Sequence, residues 1–194
     1  MVRLQGVSKS FGAIRAVDDA TLDIPRGAIT VLTGADGAGK STLFKMLVGL
    51  VKKDAGAILL DGEDIGGDAS RITAVCGYMP ERFSLYTDLS VEENMDFFAA
   101  VQQVPAARRE ELKGRLLERT GMAPFRRRRA GALSGGMKQK LALSTILLSS
   151  PQLIILDEPT TGVDPLSRIE FFAIIESLKQ EGRTIVMSTP YLDE

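Results

Sequence analysis

The sequence has no histidine and a single cysteine, Cys76, among 194 residues. Without histidine there is no Ser-His-Asp or Cys-His dyad, no HExxH site and no histidine-ligated haem. With one cysteine there is no CxxC pair and no structural zinc cluster. Acid–base chemistry must therefore come from Asp, Glu, Lys or Tyr. Any metal must accept oxygen ligands, which points to magnesium or calcium. Long hydrophobic runs are missing too. The longest apolar stretches, residues 141–148 and 153–156, fall far short of the ~20 residues that span a bilayer. The first residues, from Met1 to Gln5, carry no signal-type apolar core. Charge is balanced, with 24 Lys and Arg against 25 Asp and Glu, so bulk charge gives no argument for nucleic acid. The chain reads as cytosolic. Cys76 lies in an apolar run and reads as a buried, reduced thiol.

What is present alternates strand and helix. Residues 2–7, 21–24, 28–33, 57–60 and 72–79 read as strands, bounded by Gly, Pro or Asp turns. The run at 28–33 suits a strand buried on both faces. The middle of the chain is helical. Ser90 with Glu93 forms a capping-box pattern, and Val91, Met95, Phe98 and Val101 recur at helical spacing. Residues 106–120 and 137–148 read as two more helices, the first closed by Gly121. Strand 153–156 follows, then a helix opened by Asp164-Pro165 and stopped by Gly182, then strand 184–188. The fold class is α/β. Residues 1–82 and 151–194 form a core, with 83–150 an inserted helical subdomain.

Gly34-Ala35-Asp36-Gly37-Ala38-Gly39-Lys40-Ser41 matches GxxxxGK[ST], and Thr42 follows. It sits after an expected strand and opens an expected helix, the context this phosphate-binding loop requires. Glycines let backbone N–H groups wrap around phosphates, and the helix N-terminus adds positive dipole. Lys40 would reach the β- and γ-phosphates, and the Ser41 hydroxyl would ligate Mg²⁺. Leu153-Ile154-Ile155-Leu156-Asp157 supplies the second half, an acid at the C-terminal end of an apolar strand. Asp157 would hold magnesium through water, and Glu158 would orient or activate the attacking water.

A GTPase needs an NKxD-type base-reading segment, and the lone Asn, Asn94, falls in an expected helix. No feature marks the acceptor site of a small-molecule kinase. Leu133-Ser134-Gly135-Gly136-Met137-Lys138-Gln139 adds a second anion-ready helix start. One chain thus has one nucleotide loop and two phosphate-ready helix ends. The second end must serve a partner's nucleotide or another anion.

Some 20 residues before the Asp157 strand, residues 133–139 resemble the signature of the ATP-binding-cassette (ABC) ATPases. Phe11 sits where that family has an adenine-stacking aromatic. Thr161-Gly162-Val163-Asp164 resembles its D-loop, and Gly77-Tyr78-Met79-Pro80-Glu81 the loop joining core to helical subdomain. The run from Tyr86 to Asn94 is similar to cassettes of ABC-2 type exporters. The resemblance covers essentially the whole chain. It implies a P-loop fold with a mixed sheet around the P-loop helix, and ATP and Mg²⁺ as cofactors. It also implies a second cassette, identical or not, packed head to tail so that Ser134, Gly135, Gly136 and Asp164 of each copy face the other's nucleotide. A membrane-spanning permease partner would place the chain peripherally on the cytoplasmic face of the membrane.

Two positions depart from that pattern. The family places a switch histidine after the last strand, and Pro190 stands there, without N–H or side-chain donor. Glu81 stands where the family usually has glutamine; a carboxylate can still ligate magnesium but adds negative charge beside phosphate. Asp36 replaces the more usual asparagine. Three readings follow: a working ATPase, a degenerate ATP-binding regulatory cassette beside a competent one, or a soluble ABC ATPase outside transport. The resemblance also implies strands and helices beyond Glu194, so the chain reads as C-terminally truncated. The arginines at 126–129 read first as a solvated face, with contact to a partner or acidic lipid as the alternative.

Overall fold

The computed structural model describes residues 1–65, 69–82 and 85–190. In chain order the elements are β1 (Val2–Phe11), β2 (Ile14–Ile24), β3 (Ile29–Thr33), α1 (Lys40–Leu47), β4 (Ala55–Leu60), β5 (Glu63–Asp64), α2 (Ser70–Thr73), β6 (Cys76–Met79), α3 (Val91–Val101), α4 (Ala106–Arg119), α5 (Gly135–Leu147), β7 (Leu153–Asp157), α6 (Pro165–Gln180) and β8 (Thr184–Thr189). They cluster into two compact units. One comprises Met1–Glu81, Gln152–Pro159 and Lys179–Glu194; the other comprises Arg82–Pro151 and Thr160–Leu178. Residues 160–178, grouped with the core on sequence alternation, thus cluster with the helical residues.

The first unit holds two sheets. An antiparallel sheet has the order β2-β1-β4-β5, and a parallel one the order β3-β8-β7-β6. In β1, Val2, Leu4 and Val7 are buried while Arg3 and Gln5 are exposed, the alternation of a sheet covered on one face. Every residue of β7 and β8 is buried, as befits the middle strands of a parallel sheet. The strand at 28–33 was expected to be buried on both faces, and that expectation is corrected. β3 stands at the edge of the sheet order, pairs with β8, and leaves Val31 42% exposed.

Between the sheets lies α1. Its Phe44 and Leu47 are fully buried, in one cluster with Val2, Leu4 and Ile58 of the antiparallel sheet and Leu153, Ile155 and Val186 of the parallel one. Each such side chain contributes about 1.5–3 kcal/mol, so the helix, and with it the loop that opens it, is firmly bedded. A second correction concerns residues 72–79. Ser70–Thr73 form α2, and the strand begins only at Cys76. A short apolar run shows no period, and Ile72 is buried either way. Burial pushes the Cys76 thiol up to about 12, so it stays a thiol rather than a thiolate at neutral pH.

In the second unit, the Ser90 hydroxyl accepts from Glu93 N–H at 3.2 Å and Glu93 Oε2 accepts from Ser90 N–H at 2.7 Å, completing the capping box of α3. Helix α4 buries Leu112, Leu116 and Leu117, and Gly121, just past its cap Thr120, turns the chain at φ +67°. Lys113 is 2% exposed, with Nζ 2.5 Å from Asp96 Oδ1, 2.6 Å from Glu110 Oε1 and 3.8 Å from Glu92 Oε1. Burial alone would lower its pKa, but hydrogen bonds to Asp96 and Glu110 outweigh that and hold it above the ordinary value. Among the described residues no helix is long and apolar enough to cross a membrane.

Candidate functional site

Strand β3 runs into a turn at Asp36 and Gly37, where Ala38 N–H donates to Ala35 O at 3.1 Å. Gly39 ends the loop at φ +91°. A Cβ there would lie 2.1 Å from Ala16 O, so both conformation and space demand glycine. Helix α1 begins at the next residue with no side-chain cap and no acid in its first turn. Its N-terminus is therefore suited to an external anion.

Lys40 opens that helix and is 8% exposed. Its Nζ donates to Gly34 O at 2.7 Å and Ala35 O at 3.1 Å, and lies 3.2 Å from Glu158 Oε1. A charge so nearly buried is tolerated only with partners of this kind. Asp157 ends β7 and is 1% exposed. Ser188 Oγ donates to its Oδ1 at 2.7 Å, and the Tyr78 hydroxyl lies 3.5 Å from its Oδ2. Burial first, then the Asp157 charge, pushes the Tyr78 phenol upward, so it stays protonated and available as a donor. Glu158 follows in the left-handed region, φ +48°, a conformation that costs a residue with a Cβ on the order of 1–3 kcal/mol. Its N–H donates to Ser188 Oγ at 3.0 Å.

Three expected residues, Lys40, Asp157 and Glu158, thus converge where β3 and β7 end. Ser41 and Thr42 continue the first turn of α1, half-buried, while Asp36, Gly37 and Ala38 are exposed in the loop. Glu81 is exposed just after β6. Phe11 is 50% exposed at the end of β1, with Lys9 Nζ 5.3 Å from its ring centre. Pro190 directly follows β8 and is half-buried; residues 191–194 lie outside the described residues.

The second unit carries the other expected site residues. Ser134 caps α5, its Oγ accepting from Met137 N–H at 3.3 Å. Asp164 caps α6, its Oδ1 accepting from Ser167 N–H at 2.9 Å, and hydrogen bonding at Ser167 holds the Asp164 carboxyl below the usual range. Gly136 has a packing reason of its own: a Cβ would lie 2.3 Å from Ser167 Cβ. A Cβ on Gly135 would make only ordinary contact, 3.6 Å from Gly162 O. Internal packing therefore explains Gly136 and leaves Gly135 unexplained.

Sequence reading missed Ser188, and gave Tyr78 no role of its own. Each is a polar residue near the C-terminal end of an apolar strand, but only the strand order brings them beside Asp157. Among the described residues no group of three or more His, Cys, Asp or Glu forms a ready-made metal cage. Ser41 and Asp157 could hold a hard cation whose remaining ligands are water and phosphate oxygens, the usual manner of magnesium. The all-oxygen donor set fits that ion.

Comparison with known proteins supplies the frame for this geometry. The family profile described as "ABC transporter" matches residues 17–161. The chain is 45% identical over 196 residues to the probable multidrug ABC transporter ATP-binding protein YbhF of Escherichia coli (strain K12), covering all of this chain and 34% of that protein. It is 37% identical over 194 residues to the lantibiotic transport ATP-binding protein SrtF of Streptococcus pyogenes, covering all of this chain and 82% of that protein. The chain therefore spans about a third of YbhF but most of SrtF. Among solved structures, cbiO1 of Clostridium perfringens, part of the ABC transporter complex cbiONQ, superposes with a TM-score of 0.86 at 27% identity over 99% of this chain and 79% of that one. With that profile over residues 17–161 and relatives 37–45% identical along the whole chain, the chain belongs to the ABC transporter family.

Proposed function

We propose that this chain binds and hydrolyses Mg-ATP as the cassette of an export-type transporter, working in a head-to-tail pair of cassettes. The observation that carries the reading is the convergence of Lys40, Asp157 and Glu158, with Lys40 Nζ 3.2 Å from Glu158 Oε1. Lys40 and the N-terminus of α1 would take the β- and γ-phosphates. Phe11 would stack on the base, which any purine allows. Ser41 and Asp157 would hold the magnesium, with exposed Glu81 as a further oxygen donor. The ion would neutralise phosphate charge. As Lys40 exchanges Glu158 for phosphate, the Glu158 carboxylate becomes available to orient a water or accept its proton.

The capped N-terminus of α5, with Ser134, Gly135 and Gly136, would meet the nucleotide of a second copy, and Asp164 would face it beside them. Gly135, which internal packing does not explain, supports that assignment. Export is supported by the relatives, one described as multidrug and one as lantibiotic transport. A permease would dock on an apolar patch of the helical unit. There Tyr86 and Phe97 meet edge to face at 4.5 Å and stay 47% and 38% exposed, beside Val101 at 61%. Such an assembly would put the chain on the cytoplasmic face of the membrane.

A second reading, a cassette that binds ATP but turns it over slowly, is favoured by Pro190 directly after β8, whose own side chain and backbone offer a γ-phosphate no donor. One experiment separates the two: steady-state hydrolysis with Mg-ATP, compared with Glu158→Gln. Turnover that disappears in Glu158→Gln supports the hydrolase. Tight binding with no turnover above the Glu158→Gln level supports the slow cassette. Absence of ATP binding overturns both.

A further inference from the structure

We propose that Ser188 is a positioning residue of the nucleotide site, its one hydroxyl orienting both acids. The inference rests on the Mg-ATP reading above. Ser188 lies on β8, is fully buried, and registers with Asp157 across the parallel ladder. Its Oγ donates to Asp157 Oδ1 at 2.7 Å and accepts from Glu158 N–H at 3.0 Å. A hydroxyl has one proton. With that proton committed to the carboxylate, a lone pair is left for the amide, and each bond polarises the other.

The strand pairing does not depend on this hydroxyl. β8 is held by its backbone ladders to β3 and β7 and by its buried neighbours Ile185, Val186 and Met187. The site has two uses for it. The other Asp157 oxygen faces Tyr78 at 3.5 Å, too long to fix the carboxylate. Asp157 orientation therefore rests on Ser188. Glu158 sits at φ +48°, and its amide bond to Ser188 ties down the backbone from which its carboxylate reaches Lys40. One side chain thus aligns the metal-facing acid and the water-facing acid together.

The test is the Mg²⁺ dependence of nucleotide binding, read by a fluorescent ATP analogue on the full chain, first in EDTA and then across a Mg²⁺ titration. Loss of such an outer partner typically weakens metal affinity 10–100-fold. Ser188→Ala is expected to raise the Mg²⁺ needed for half-saturation about 10-fold, with binding in EDTA near wild type and a lower melting temperature from the two buried partners it leaves unpaired. Ser188→Cys keeps the side-chain shape with a somewhat larger sulfur but donates weakly, and should show the same shift; it also decides the matter if Ser188→Ala does not fold. Hydrolysis should lose kcat with KM in saturating Mg²⁺ unchanged. An unchanged Mg²⁺ dependence in Ser188→Cys overturns the proposal. So does a loss of EDTA binding that matches the Mg²⁺ shift, because that is packing alone. Wild-type protein that binds no ATP in either condition would overturn the Mg-ATP reading instead.

Discussion

Two helices of this chain begin just after or at glycines, and they begin differently. Helix α1 starts from Gly39 with no side-chain cap, so the amides of its first turn are left to whatever anion arrives. Helix α5 starts from Ser134, whose hydroxyl accepts the Met137 amide. The first is built around a buried cation, Lys40, with Glu158 as its counter-charge. The second opens on two glycines, with Lys138 only four residues past the cap, and the absence of Cβ at Gly136 serves the contact with Ser167. A loop with its own lysine can grip phosphate alone. A self-capped helix end contributes dipole and geometry, and suits a nucleotide already held elsewhere.

The largest expected effect separates the two ends. Lys40→Ala should weaken ATP binding by about a hundredfold, the loss that follows when a buried charge partner is deleted. Ser134→Ala should leave binding to a single chain within about twofold, because its own hydrogen bond is a local cap worth ~1 kcal/mol. Nucleotide titration of the two variants measures both. Equal losses would erase the distinction.

Next in size is a packing contrast within the signature pair. Gly136→Ala forces a methyl to 2.3 Å from Ser167 Cβ and should destabilise the protein by about 1–3 kcal/mol, the usual cost of overpacking. Gly135→Ala meets nothing closer than 3.6 Å and should melt near wild type, yet impair hydrolysis. Thermal unfolding with an activity assay checks both. Identical melting temperatures would contradict the packing reason.

Smaller still is an effect of pH. In the helical unit the Ser90 amide holds Glu93, Lys113 holds Glu110, and Ser167 holds Asp164 below the ordinary carboxylate range. Depressed values mean stability present above the unfolded pKa values and lost as pH falls through the folded ones. In the first unit Asp54 behaves likewise beside Lys9. Amide exchange as pH falls below about 4 should therefore quicken in the helical unit before the sheets. Simultaneous loss of protection would break the contrast.

Local features were legible in the sequence and long-range ones were not. The loop at 34–41, the box at Ser90 and Glu93, and the cap at Asp164 are encoded over a few neighbouring residues, and each formed as read. The exposure of Val31 was hidden because an apolar run does not state its place in a sheet. Ile72 misled because a buried helical turn and a buried strand end look alike over four residues. Lys40 and Asp157 were named from motif. Ser188 could not be, because it lies 31 positions away in sequence from the acid it holds.

The most direct test of the shared site mixes two variants. Lys40→Ala keeps an intact α5 but a dead loop. Ser134→Arg keeps an intact loop but blocks the α5 end. Each alone should hydrolyse almost nothing. A head-to-tail pair formed from one of each has a single site with both halves intact, so an equal mixture should recover up to about a quarter of wild-type turnover. If the mixture stays as inactive as its parts, or Ser134→Arg alone turns over ATP like wild type, the two helix ends do not share a nucleotide.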